Sequence, residues 1–355
     1  AGLVGSEMCI RDRFRTTILF ILALIGTVGM WSVVVFIPDI EKEFGLDRGT
    51  SSLLYAFTMI GFGFGTVVIG KFYDKFGIKK PILLATFVLI TSYYFYSIFP
   101  FYWQFLILQF FMGFAASAFF GPAMADISNF FNKQRGFALS IVASANYVAG
   151  ATWPLLIGYF LTFIDWRTAH FWISICLFIM IPLILLLKNA SVDESKSHEM
   201  KQRYKDIRLD LSNNQIQVLL MLAGICCCVA MAMPQVHMVA LCVDNGFGLQ
   251  VGTEILAVML YSGMISRIVF GMISDRIGPV LTLLLGSFLQ MVSLTFFLPF
   301  SSEISLYVVS LMFGLSQGGI VPAYAIIIRK YLPIKEAGLR AVSYTHLRAH
   351  ETCHN

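Results

Sequence analysis

"LYSGMISRIVFGMISDRIG", residues 260–278, reads in two parts. The first is apolar enough to lie in a lipid bilayer, yet Arg267 stands inside it. A charge at bilayer depth costs from ~2.5 to more than ~10 kcal/mol, so such a residue faces a bundle interior or a wet passage instead of lipid. The second part turns polar at Asp275 and Arg276 and stops at Gly278, as a helix does when it leaves the membrane. Arg267 lies two turns, ~12 Å of helix, before Asp275. That is a long way for a side chain to climb.

The rest of the chain has the same character. It is 58% hydrophobic and 13% charged, with 33 phenylalanines in 355 residues, and its mean hydropathy is +0.78. A soluble domain has no use for that much apolar surface. Seven cysteines and six histidines are scattered without metal-ligand or disulfide spacing. Cys226, Cys227 and Cys228 are consecutive, so on a helix they diverge and read as small buried hydrophobes. No cofactor or metal is implied, and the net charge of +5 follows a membrane rule without any nucleic acid.

Ten apolar runs approach the ~20 residues that cross a ~30 Å hydrocarbon layer. They cover 16–38, 51–70, 81–99, 103–125, 137–160, 168–187, 216–241, 252–273, 280–298 and 304–327. None alternates like a barrel strand, so the expected fold is an all-α polytopic membrane bundle. One set of alternate loops holds Lys71, Lys75, Lys79, Lys80, Lys133, Arg135, Lys188, Arg276 and Arg329, among others. The opposite set holds only Lys42, Arg48 and Arg167. The positive-inside rule makes the first set and the amino terminus cytoplasmic, in a cell (inner or plasma) membrane.

An internal repeat is visible. "GKFYDKFG" (70–77) follows the second run, and "GMISDRIG" (271–278) follows the eighth. "GFAASAFFGP" (113–122) returns as "GLSQGGIVP" (314–322), each shared glycine displaced by 201 residues. Two halves in parallel orientation follow: 14–187 with six helices, a cytoplasmic linker at 188–215, and 216–340 with four helices of six. The ends match nothing between them. "LVGSEMCIRDR" (3–13) and "VSYTHLRAHET" (342–352) resemble one sequencing adapter translated in opposite orientations. Residues 1–13 and 341–355 are therefore read as non-native tails on a truncated gene. Cys9, His346, His350, Cys353 and His354 drop out as site candidates.

With these residues in hand, the chain resembles the major facilitator superfamily over 14–340. Gly70, Asp74, Gly77 and Lys79 match the family's signature loop, and Gly271, Asp275, Arg276 and Gly278 match its weaker copy. Within it the chain looks most like the monocarboxylate and oxalate–formate branch, on "RGFALSIVASANYVAG", "DWRTAH", "HMVALCVDNG" and "SRIVFGMISDRIG". The resemblance implies two six-helix halves, a monomer, and a signature loop that latches one access state. It also implies an arginine in the eighth helix that grips organic anions. One departure is plain: animal-type members carry an aspartate one turn before that arginine, where this chain has Gly263.

Read from the residues alone, Gly70 and Gly77 allow a tight reversal and close approach, and Asp74 is an anion beside helix ends. A plain charged turn is the alternative. Arg267 either meets a carboxylate in a central cavity or reaches Asp275 and headgroups. Tyr147, Asn146, His237 and Gln317 are the other candidate substrate contacts, with helix–helix glue as the alternative for the amides and packing for the histidine. Gly61, Gly63 and Gly65 allow close helix packing. Asp126 and Glu254 sit near span ends and read as solvated interface groups.

The expected protein is a secondary active transporter of small organic anions, driven by protons or by a counter-transported anion, and not an enzyme. A transporter of neutral solutes is the alternative, and a non-transporting sensor a weaker one. No nucleotide-binding motif supports direct ATP drive.

Overall fold

The computed structural model describes residues 2–130, 135–187, 212–299 and 302–321, with positions 323, 324 and 327. The described residues are helical with short turns. The helices are α1 (Gly2–Gly26), α2 (Val28–Phe44), α3 (Arg48–Phe76), α4 (Lys79–Ile98), α5 (Tyr102–Ala116), α6 (Gly121–Phe130) and α7 (Arg135–Phe160). Then come α8 (Trp166–Cys176), α9 (Met180–Leu186), α10 (Asn213–Asp244), α11 (Leu249–Ile277), α12 (Pro279–Thr295) and α13 (Glu303–Gln317). Among the described residues, eight helical segments are long and apolar enough to span a bilayer. The ninth and tenth runs give shorter helices, 17 residues in α12 and 15 in α13. The tail at 341–355 and the linker up to 211 lie outside the described residues.

Three apolar runs are broken where sequence periodicity is blind. The first breaks at Thr27, whose hydroxyl donates to the Ala23 carbonyl at 2.7 Å. The fourth passes through a tight turn at Ser117–Phe119, and the sixth through another at Leu177–Ile179. The first two breaks meet, because the Phe119 ring fills the space a side chain at Gly26 would need. α1 itself starts at Gly2 and runs through the adapter-like residues. α10 starts at Asn213, inside the expected linker. A reciprocal cap fixes that start: Ser212 N–H donates to Gln215 Oε1 at 2.9 Å, and Gln215 N–H donates to Ser212 Oγ at 3.3 Å.

Helices cross where glycines let backbones touch. A side chain at Gly61 would overlap the Phe110 carbonyl, and one at Gly113 the Thr58 carbonyl, so α3 and α5 lie backbone to backbone. α11 and α13 do the same: a side chain at Gly314 would overlap the Met259 carbonyl. α3 and α11 are both 29 residues long, starting at 48 and 249. α5 and α13 are both 15, starting at 102 and 303.

The signature glycines divide. Gly77 and Gly278 end α3 and α11 at φ 73° and 85°, a conformation that glycine reaches without steric cost. Gly70 and Gly271 instead lie inside those helices with nothing within 4 Å of an added Cβ. The close approach expected at Gly70 is not seen there, because the helix continues to Phe76 before the chain turns. Two smaller expectations also change. Cys226 is exposed, while Cys227 and Cys228 are buried. Asp126 is not solvated: it is 2% exposed and receives two bonds from Arg15, from Nε and Nη2, each 2.7 Å. The segment after the turn at Ser117–Phe119 packs against α1 and sets the two charges opposite each other.

Large apolar side chains face outward along the spans, as lipid requires. Phe101 and Phe163 are exposed, as are Trp103 and Trp172, whose amphipathic indole rings suit a membrane interface.

Candidate functional site

α7 and α11 run antiparallel and form the main contact between the first six apolar runs and the last four. Their seam is read residue by residue. Gly158 faces Thr253, Thr152 Oγ1 lies 3.0 Å from Tyr261 OH, and Gly150 faces Leu260. Farther along, Tyr147 faces Gly263 and Ala143 faces Arg267. Small residues at 150, 158 and 263 allow this approach over several turns.

Arg267 sits at one end of that seam, 7% exposed. Its Nη1 donates to the Ala143 carbonyl at 2.7 Å, and its guanidinium carbon lies 4.3 Å from the centre of the Tyr147 ring. The residue therefore points across the bundle to another helix and not into lipid. Its carbonyl partner already belongs to α7's own ladder and carries no net charge. A carboxylate would be the stronger acceptor for the same guanidinium.

Gln317 comes to the same place from α13. An added Cβ at Gly263 would sit 3.5 Å from Gln317 Nε2 and 3.0 Å from the Tyr147 ring. Gly318, the next residue, packs against the Arg267 backbone nitrogen. Gln317 Oε1 accepts from Gln235 Nε2 at 2.8 Å. Three of the five candidates, Arg267, Tyr147 and Gln317, thus converge.

The other two are placed differently. Asn146 accepts from the Trp31 indole N–H at 3.0 Å, which ties α7 to α2. His237 is half-buried on α10, and its charged neighbours are Arg48 and Glu41. Those belong to a second cluster at the far end of the seam. Arg48 Nη2 donates to Asp244 Oδ1 and Oδ2 at 3.0 and 2.8 Å, and its Nε lies 3.2 Å from Glu41. Ser51 also donates to Glu41. Arg48 therefore joins α2, α3 and α10.

Sequence reading missed Gln235, Trp31, Arg48 and Arg15. Gln235 had one signal, its place directly after Pro234 in mid-span. That proline removes a backbone donor and loosens the helix locally. In the signature loops, Asp74 is exposed and forms no ion pair among the described residues. Lys79 Nζ donates to the Leu185 carbonyl at 3.3 Å, where α9 ends. Arg276 is exposed. No group of His, Cys, Asp or Glu among the described residues could hold a metal ion.

Comparisons bear on the whole scaffold. MFS-type transporter 1 of Ophiocordyceps sp. is 24% identical over 278 residues, 78% of this chain. This chain spans 61% of that relative's length. A D-xylose–proton symporter crystal structure superposes with a TM-score of 0.69 at 11% identity, covering 95% of this chain and 87% of that one. A bacterial homologue of the human lysosomal transporter Spinster, in an inward-facing and unoccupied conformation, gives 0.66 at 13%, covering 96% and 80%. These solved structures share the fold. The family model of the Major Facilitator Superfamily matches residues 19–345, and the chain belongs to that family.

Proposed function

We propose that this chain forms the core of a secondary active transporter that carries small organic anions by alternating access, with Arg267 as the anchor. The observation that carries the reading is a buried guanidinium directed into the seam between two helical units, held by a ring face and a neutral carbonyl. Anion recognition is a use this geometry suits, because a guanidinium offers a carboxylate paired, charge-assisted donors. Tyr147 would shape the contact, and Gln317 would add a polar group. Asn146 and His237 are the outer members of the set.

The two units are read as pseudo-repeated halves, on the matched lengths and the 201-residue displacement of α3 against α11 and α5 against α13. Rocking of one half against the other would part Ala143 and Tyr147 from Arg267 and admit an anion in their place. Arg48 with Asp244 would close the outer end meanwhile. Asp74 with Gly77, and Asp275 with Gly278, would favour one access state at the cytoplasmic end. Coupling to protons or to a counter-transported anion is open on this reading, and a monomer suffices for it.

The test is equilibrium binding of pyruvate to the chain in lipid nanodiscs, compared with Arg267→Gln and Arg267→Lys. Arg267→Gln should lose pyruvate by at least about tenfold, with helicity and yield unchanged, and Arg267→Lys should retain part of it. Unchanged pyruvate binding in Arg267→Gln would remove Arg267 as the anchor.

A further inference from the structure

Gln317 is fully buried, and its amide is held from one side only. Oε1 accepts from Gln235 Nε2 at 2.8 Å, while Nε2 has no hydrogen-bond partner among the described residues. A buried amide N–H without an acceptor is costly, and such groups in native proteins ask for an explanation. This one lies against Gly263, where an added Cβ would sit 3.5 Å from it, beside the ring on which the Arg267 guanidinium rests.

We infer that Gln235 is a positioning residue that holds the Gln317 amide with Nε2 turned into the site, so that an anion on Arg267 meets a second, uncharged donor. The inference rests on the anion reading above and adds a selectivity to it. Gln235 sits on α10 directly after Pro234, and Gln317 sits on α13 one residue before the glycine packed on the Arg267 backbone. The amide is thus braced by one helix and aimed past another. With Gln235 donating, Gln317 Oε1 is occupied and its two N–H bonds are what the site receives. Gly263 lets the Tyr147 ring and the Gln317 amide close in together, since a side chain there would press on the ring. A carboxylate held by Arg267 fills that arrangement best when the adjacent carbon carries its own acceptor oxygen. A site built to donate to such an oxygen discriminates against the analogue that lacks it.

The experiment measures binding of pyruvate and of propionate, which lacks the 2-oxo group, to the chain in nanodiscs at neutral pH. The unaltered chain should prefer pyruvate by about tenfold. Gln235→Met and Gln317→Met keep the side-chain volume and should each bring that preference to about twofold or less. Propionate affinity should stay within about twofold. A preference that survives both variants, or propionate affinity that falls in step with pyruvate, overturns the positioning role and leaves the anchor standing. Both acids binding undiminished to Arg267→Gln would instead remove the Arg267 anchor of the anion reading on which the inference depends.

Discussion

The guanidinium of Arg267 lies over the ring of Tyr147, 4.3 Å from its centre, and brings α11 against the middle of α7. A cation over a ring gains about 0.5–2 kcal/mol, more where water is excluded. Tyr147→Phe keeps the face and should hold pyruvate binding within about threefold. Tyr147→Leu removes it and should weaken binding by about five- to tenfold. Titration of the purified variants in nanodiscs distinguishes the ring from its hydroxyl.

Arg48 makes the corresponding link at the far end, and its energetics are weaker. It is one-third exposed and Asp244 is 60% exposed, where ion pairs contribute ~0–1 kcal/mol and are screened by salt. Arg48→Gln should raise the fraction of molecules with these ends apart by up to about fivefold. Spin labels at the exposed positions Lys42 and Asn245 would report the change as a longer-distance population. High salt should reproduce part of it in the unaltered chain.

The Arg15–Asp126 pair is of the other kind, 7% and 2% exposed with bidentate geometry. Removing one partner of a buried pair costs about 3–5 kcal/mol, whereas replacing both by apolar groups is often neutral. Asp126→Ala should lower the thermal midpoint sharply. Arg15→Met combined with Asp126→Leu should recover most of the loss in the same unfolding measurement.

Asp165 caps α8 outside the span, accepting from the backbone N–H groups of Arg167 and Thr168 at 3.1 and 3.0 Å and from the Thr168 hydroxyl at 2.6 Å. The Thr168 hydroxyl first, then these backbone donors, hold its carboxyl below the ordinary value of 3.8. A depressed folded value makes the contribution complete above that ordinary value and lost as pH falls through the lowered one. Asp165→Ala should cost about 1 kcal/mol at neutral pH. The gap between the two proteins in thermal midpoint should narrow as the pH is taken below about 4.

How far the amino-acid order revealed this molecule depends on the kind of signal. Apolar runs announce spans because length and hydropathy are local, and Arg267 announced itself as a charge among them. Breaks at Thr27, Ser117 and Leu177 leave the hydropathy untouched, so periodicity passes over them. Arg15 and Asp126 are 111 positions apart. Asp126 looked solvated because span-end position says nothing of which helix lies opposite. Glu254 looked the same, yet it accepts from Tyr307 OH at 2.7 Å. Gln235 lies two positions from His237 and, as a neutral amide, carries no titratable signal of its own. Gly77 and Gly278 were legible as helix stops, whereas Gly70 has no steric demand on its backbone that a structure must satisfy.

The central claim is that Arg267 recognises negative charge, and the most direct measurement of it compares pyruvate with pyruvamide, its uncharged isostere, for equilibrium binding to the unaltered chain. The two share shape and the 2-oxo acceptor and differ in charge. Binding of pyruvate at least about tenfold tighter than pyruvamide is the expected result. Equal binding of the two, or a preference for the amide, would contradict it.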